Sequence, residues 1–81
     1  MEWKIVDEKL VNQFEFATQT KLVEFLLNIA QYADKINHHP DYNVFQFSKV
    51  KFIIFSHDKN QITDLDNQLA EFISSCYHSN K

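Results

Sequence analysis

The sequence of 81 residues has no glycine and no arginine, and it has a single proline and a single cysteine. Phosphate-cradling loops of the Walker and dinucleotide-binding types need glycine for close backbone approach, so nucleotide cofactors held in that way are excluded. All eight basic residues are lysines and the net charge is −3. Nucleic-acid binders cluster cations along the phosphate backbone and read base edges with arginine forks, so this composition argues against direct DNA or RNA binding. One cysteine, Cys76, permits neither an internal disulfide nor a cysteine-based zinc cluster. It falls in an apolar helical pattern, which suits a buried core thiol. No run of about 18 apolar residues exists, and Met1-Glu2-Trp3-Lys4 opens without an apolar signal segment. The expectation is a soluble protein of a reducing compartment, cytoplasmic and not membrane-bound.

What is present is core material. Hydrophobic residues make up 44% of the chain and aromatic residues 15%, with eight Phe, enough apolar surface to offset chain entropy in one small domain over residues 1–81. Trp3 and Ile5, then Phe14 and Phe16, alternate with polar neighbours at the period of a half-buried strand, and Asp7-Glu8-Lys9 between them can turn. From Thr18 to about Ile36 the period changes. Leu22, Leu26, Ile29, Ala33 and Ile36 form one apolar stripe of an amphipathic helix, which Pro40 is expected to end.

Val44 to Phe47 and Val50 to His57 read as two further strands. In the second, Phe52 and Ile54 point one way, Ile53 and Phe55 the other, so both faces are apolar. A second copy of the chain is the simplest cover for the extra face, which predicts a homodimer or homotetramer. Thr63 opens a last helix with Leu65, Leu69, Phe72, Ile73 and Cys76 on its buried side. The Ser/Asn/Lys tail after Tyr77 is expected to fray. The fold class is therefore α+β: two layers, a four-stranded antiparallel sheet with two helices packed on one face, in the order β-β-α-β-β-α.

Three of the four histidines, His38, His39 and His57, fall within 33 of the 81 residues together with Asp34 and Asp66. Imidazole gains and loses a proton near neutral pH, so the set reads as acid–base chemistry. His38 and His39 are adjacent in extended chain and point apart, which disfavours joint metal ligation. A zinc site built from one of them, His57 and an acid stays open, although helical His spacing and a cysteine partner are both missing. His57 ends the most apolar strand, a stiff mount for a site residue or a polar cap at the sheet's rim. Asp66 also fits a capping box with Thr63, a purely structural role. Asp34 lies at the C-terminal end of its helix, where negative charge is disfavoured, which suggests a local task such as orienting an imidazole. Tyr42, Phe45 and Phe47 offer flat apolar surface, as core or as a platform for a planar heterocycle. His78, in the tail, reads as solvated.

The string Asp34-x3-His38-His39-Pro40, with six residues to Phe47, nine to His57 and eight to Asp66, resembles the signature of the pterin-4a-carbinolamine dehydratases. Trp3, Phe14-x-Phe16, the helix of Phe25 to Ala33 and Thr63-x-x-Asp66-x-x-Leu69-Ala70 extend the resemblance over essentially the whole chain. It implies dehydration of 4a-hydroxytetrahydrobiopterin to quinonoid dihydrobiopterin with no metal or organic cofactor. By the same resemblance His38, His57 and Asp66 are catalytic. His39, Pro40, Asp34, Tyr42 and Phe47 bind the pterin substrate. Members form dimers and tetramers. Animal members also serve as dimerisation cofactors of a homeodomain transcription factor, so a non-catalytic protein-binding module using Leu65 to Tyr77 is the alternative function. Departures from the pattern are Asp34 where Glu is common, Tyr42 where Trp is usual, and Gln61-Ile62-Thr63 in place of a glycine turn. The last is harmless if Asn60 takes the unusual backbone angle.

Overall fold

Period-two burial builds one sheet and period-3.6 burial lays two helices across it. In a computed structural model, which describes residues 2–79, the elements are β1 (Lys4–Val6), β2 (Lys9–Glu15), α1 (Gln19–Ile36), β3 (Asp41–Phe45), β4 (Lys49–Ile54) and α2 (Asp64–Ser79). The strands are antiparallel in the order β1-β2-β4-β3, with the register set by pairs such as Leu10↔Ile54, Phe14↔Val50 and Tyr42↔Phe52. Leu10, Phe14, Val50, Phe52 and Ile54 face inward against Leu22, Phe25 and Ile29 of α1 and Leu69, Ala70 and Ile73 of α2. Phe14, Phe25 and Phe52 meet edge-on with centroids 5.7–6.0 Å apart, the arrangement aromatic quadrupoles favour. Trp3, almost fully buried, donates its indole N–H to Ser74 Oγ at 2.8 Å and ties the first strand to α2.

Each helix starts as its sequence suggests. Thr18 Oγ1 accepts from Lys21 N–H at 3.2 Å and caps α1. α1 ends at Ile36, as its apolar stripe suggests, but Asn37 stops it and not Pro40, because Asn37 takes the left-handed conformation (φ 54°). Asn37 N–H then bonds to Asp34 C=O and His38 N–H to Ala33 C=O at 3.1 Å, a Schellman closure that satisfies the last carbonyls.

Four other expectations need correction. The third strand begins at Asp41 and ends at Phe45, because Gln46 and Phe47 both adopt positive φ in the hairpin turn. The fourth ends at Ile54, where its partner β2 runs out of pairs. Beyond it only Ser56 bridges, to Gln61, and His57 falls in the intervening loop. The inward row of α2 is Asp66, Leu69, Ala70 and Ile73, so Leu65 turns outward and is 43% exposed. A carboxylate takes the first inward place, which an apolar-only reading of the helix cannot see. α2 itself runs to Ser79, into the tail expected to fray; Asn80 and Lys81 lie outside the described residues.

Both helices cover the same face. On the other, Val11, Ile53 and Phe55 are half-buried and Val6 is exposed, with the ammonium of Lys9 5.4 Å from the Phe55 ring centre. Phe25 touches rings from β2, β4 and α2 at once. Phe25→Ala is expected to cost about 3–5 kcal/mol, checked by urea denaturation with Trp3 fluorescence.

Candidate active site

Asp66 is the first inward residue of α2, and its carboxyl is 0% exposed. Its Oδ2 accepts from Thr63 N–H at 2.7 Å, from the Ser56 hydroxyl at 2.8 Å and from the Thr63 hydroxyl at 3.1 Å. Its Oδ1 is 2.5 Å from His38 Nε2. Burial alone would raise the pKa of this carboxyl. The bonds from His38, the Thr63 N–H, Ser56 and the Thr63 hydroxyl outweigh burial and hold it below the ordinary value of 3.8. Asp66 is thus a helix-capping acid and an imidazole partner together.

His38 reaches Asp66 because the Schellman turn at Asn37 folds the chain back over the start of α2. Its side chain is 16% exposed, a half-buried ring on a fully buried partner. The next residue points away, as extended chain requires: His39 Nε2 lies 2.8 Å from Asp34 Oδ1, and both side chains are largely in solvent. The acid at the unfavourable helix end therefore faces the second imidazole. His57 is the most open of the three, 74% exposed, with Nε2 3.7 Å from Asp41 Oδ2 and its ring edge-on to Phe55.

A cavity of 520 Å³, within the range of about 300–1,000 Å³ usual for small-ligand sites, opens beside this cluster. His38, Ser56, Thr63, Leu65, Asp58 and Lys59 are among its walls. His57 is not in the wall, but the two residues that follow it in the loop are. Pro40 is half-buried between His39 and β3, and Tyr42 packs on Phe52 with centroids 5.6 Å apart. Phe47 does not join them. It lies in the β3–β4 turn, 63% exposed, with the six residues of β4 (~20 Å at ~3.3 Å per residue) between it and the cluster. Its expected place near the histidines is corrected accordingly. A larger groove of 730 Å³ runs between Glu2, Trp3, Glu71 and His78, away from the cluster, where His78 Nε2 lies 3.2 Å from the Glu2 carboxylate. Among the described residues, no three His, Cys, Asp or Glu side chains converge as a metal-binding group, and no helix is long and apolar enough to cross a membrane.

Three participants escaped the sequence reading: Ser56, Asp41 and Thr63 as a site residue rather than a helix start. The one available signal was Ser56 itself, a hydroxyl directly after Phe52-Ile53-Ile54-Phe55 that the fold buries.

The Asp66 network sets an acid limb to stability. The folded carboxyl titrates below 3.8, so in acid the unfolded chain takes up this proton first. The contribution of Asp66 is complete above the ordinary carboxylate range and drains away as pH falls through 3.8 toward the lower folded value. Asp66→Asn is expected to lose about 2–3 kcal/mol at neutral pH and to flatten that limb, read from denaturation midpoints between neutrality and strong acid.

A sequence profile described as Pterin 4 alpha carbinolamine dehydratase matches residues 1–76. A protein of Herpetosiphon aurantiacus, provisionally named pterin-4-alpha-carbinolamine dehydratase, is 33% identical over 75 residues, covering 93% of this chain and 77% of its own. A protein of Metallosphaera sedula with the same provisional name is 35% identical over 69 residues, 85% of this chain and 71% of its own. Among solved structures, a transcriptional coactivator/pterin dehydratase from Brucella melitensis superposes with a TM-score of 0.87 at 28% identity, covering 94% of this chain and 82% of its own. A pterin dehydratase-like protein described as a RuBisCO assembly factor in the alpha-carboxysome shares the fold at 16% identity, with a TM-score of 0.74 over 93% of this chain and 86% of its own. Profile, relatives and fold agree with one another, and the chain belongs to the pterin-4-alpha-carbinolamine dehydratase family.

Proposed function

We propose that this protein dehydrates a pterin 4a-carbinolamine, 4a-hydroxytetrahydrobiopterin, to quinonoid dihydrobiopterin and water. The observation that carries the reading is the His38–Asp66 pair: a half-buried imidazole on a fully buried carboxylate at the wall of a ligand-sized cavity. In the reaction the C4a–O bond breaks, the hydroxyl leaves as water with a donated proton, N5 loses its proton, and the C4a=N5 double bond forms. Elimination of this kind needs a proton donor at the oxygen and an acceptor elsewhere, and imidazole serves both near neutral pH. His38 and His57 share that duty, His38 from the fixed wall and His57 from the loop at the rim. His39 and Asp34 hold the pterin ring, with Pro40 and Tyr42 as its apolar neighbours. Phe47 has no part in this reading.

The test is the decay of freshly generated 4a-hydroxytetrahydropterin, followed by ultraviolet absorbance. Wild-type protein should accelerate it, and His38→Ala or His57→Ala should lose ~10²–10⁴-fold of the turnover while keeping the fold. Decay no faster than in buffer would leave the family fold without its reaction. The protein-binding reading, supported by the coactivator half of the Brucella neighbour's description, would then take precedence.

The same reading extends to self-association. Val6, Val11, Ile53 and Phe55 form an apolar patch on the sheet face opposite the helices, which a second copy would cover. Light scattering after size exclusion should give the mass of two or four chains; a monomer at micromolar concentration would contradict it.

A further inference from the structure

We infer that Ser56 is a positioning residue which, with Thr63, aims the Asp66 carboxylate so that His38 keeps its hydrogen on Nε2 and transfers protons through Nδ1. Two close donors surround Oδ2. The Thr63 backbone N–H can only donate, and it lies 2.7 Å away; the Ser56 hydroxyl lies at 2.8 Å. Together they occupy the oxygen's lone pairs, so Oδ2 acts as an acceptor and carries no proton of its own. The remaining oxygen, Oδ1, faces His38 Nε2 at 2.5 Å. A carboxylate has no hydrogen to give, so the hydrogen in that contact belongs to Nε2. A neutral imidazole has a single N–H, which leaves Nδ1 bare. His38 Nδ1 has no hydrogen-bond partner among the described residues, and the ring lines the 520 Å³ cavity. Nδ1 is thus the atom placed to give or take a proton there.

Why Ser56, when Thr63 already donates? Capping α2 requires only Thr63 and Asp66, which belong to the same turn. Ser56 comes from the other side, at the end of the sheet, and is 4% exposed. Its backbone is pinned by Ser56 N–H to Gln61 C=O and Lys59 N–H to Ser56 C=O, both at 3.2 Å. Ser56 Oγ, Thr63 Oγ1 and Asp66 Oδ2 form a triangle with sides of 2.9, 3.1 and 2.8 Å, in which two hydroxyl protons serve three edges. Ser56 donates to Oδ2 along the shorter of the two hydroxyl edges, 2.8 Å against 3.1 Å from Thr63, so the serine supplies the second firm grip on Oδ2. Ser56 also immediately precedes His57. One residue therefore locks the buried imidazole and carries the loop that bears the exposed one.

The experiment is long-range proton–nitrogen NMR of the imidazoles in wild type, Ser56→Ala and Ser56→Thr, recorded where His38 is neutral, together with dehydration kinetics. Wild type should show the Nε2–H tautomer alone. Ser56→Ala should populate both tautomers and lower kcat at least ~10-fold, part of the ~10²–10⁴ that a positioned acid–base group supplies, with KM within about twofold. Ser56→Thr, which keeps the hydroxyl, should restore both readings. An Nδ1–H tautomer in wild type overturns the inference with no variant needed. So does a folded Ser56→Ala that keeps the single tautomer, or one that mixes tautomers at unchanged kcat. The kinetic arm rests on the dehydratase reading and the spectroscopic arm does not. A wild type without turnover would therefore count against the reaction, while the tautomer spectrum still decides the role of Ser56.

Discussion

A charge without solvent is the constraint on which this small domain is organised. An ionised carboxylate stripped of water costs several kcal/mol unless its lone pairs are filled. Asp66 fills them from three parts of the chain: the first turn of α2, the residue that ends the sheet, and the segment leaving α1. Its burial is therefore possible only when those three parts meet. The two roles that the sequence left open for Asp66, helix cap and imidazole partner, turn out to be the two oxygens of one group.

The neighbouring pairs are built differently. His39–Asp34 and His57–Asp41 lie in solvent, where ion pairs contribute about 0–1 kcal/mol and break easily. A ligand could rearrange either at little cost, but not the buried pair. The site thus combines one rigid imidazole with two adaptable ones, and only the rigid one has its tautomer set before any ligand arrives.

Much of the fold was legible because its burial stripes are sharp. Leu22, Ile29 and Ala33 at helical spacing, and Phe52 and Ile54 at strand spacing, leave little choice of secondary structure, and the element order follows. Most of the departures concern where the chain turns. Asn37 ends α1 through a backbone conformation stabilised by carbonyls a turn earlier, which no local pattern marks as strongly as Pro40. Phe47 keeps the family spacing from Pro40, but linear spacing cannot say that a strand's length separates it from the histidines. Leu65 reads as inward because the true first inward residue is charged. Ser56 was silent for a related reason: a lone hydroxyl has no periodicity, and its partners lie 7 and 10 positions away.

The missing glycine reaches further than the phosphate loops it excludes. Six non-glycine residues hold positive φ among those described: Asp7, Glu8, Asn37, Gln46, Phe47 and Asn60. Asn60 supplies the angle that a glycine turn gives elsewhere. Each such residue, those with short polar side chains least, adds native strain that glycine would avoid, up to about 1–2 kcal/mol. Yet a chain without glycine is also stiffer when unfolded and has less conformational entropy to lose on folding. The two effects oppose each other, so this protein carries its turns as enthalpic strain in the folded state where others carry them as disorder in the unfolded one.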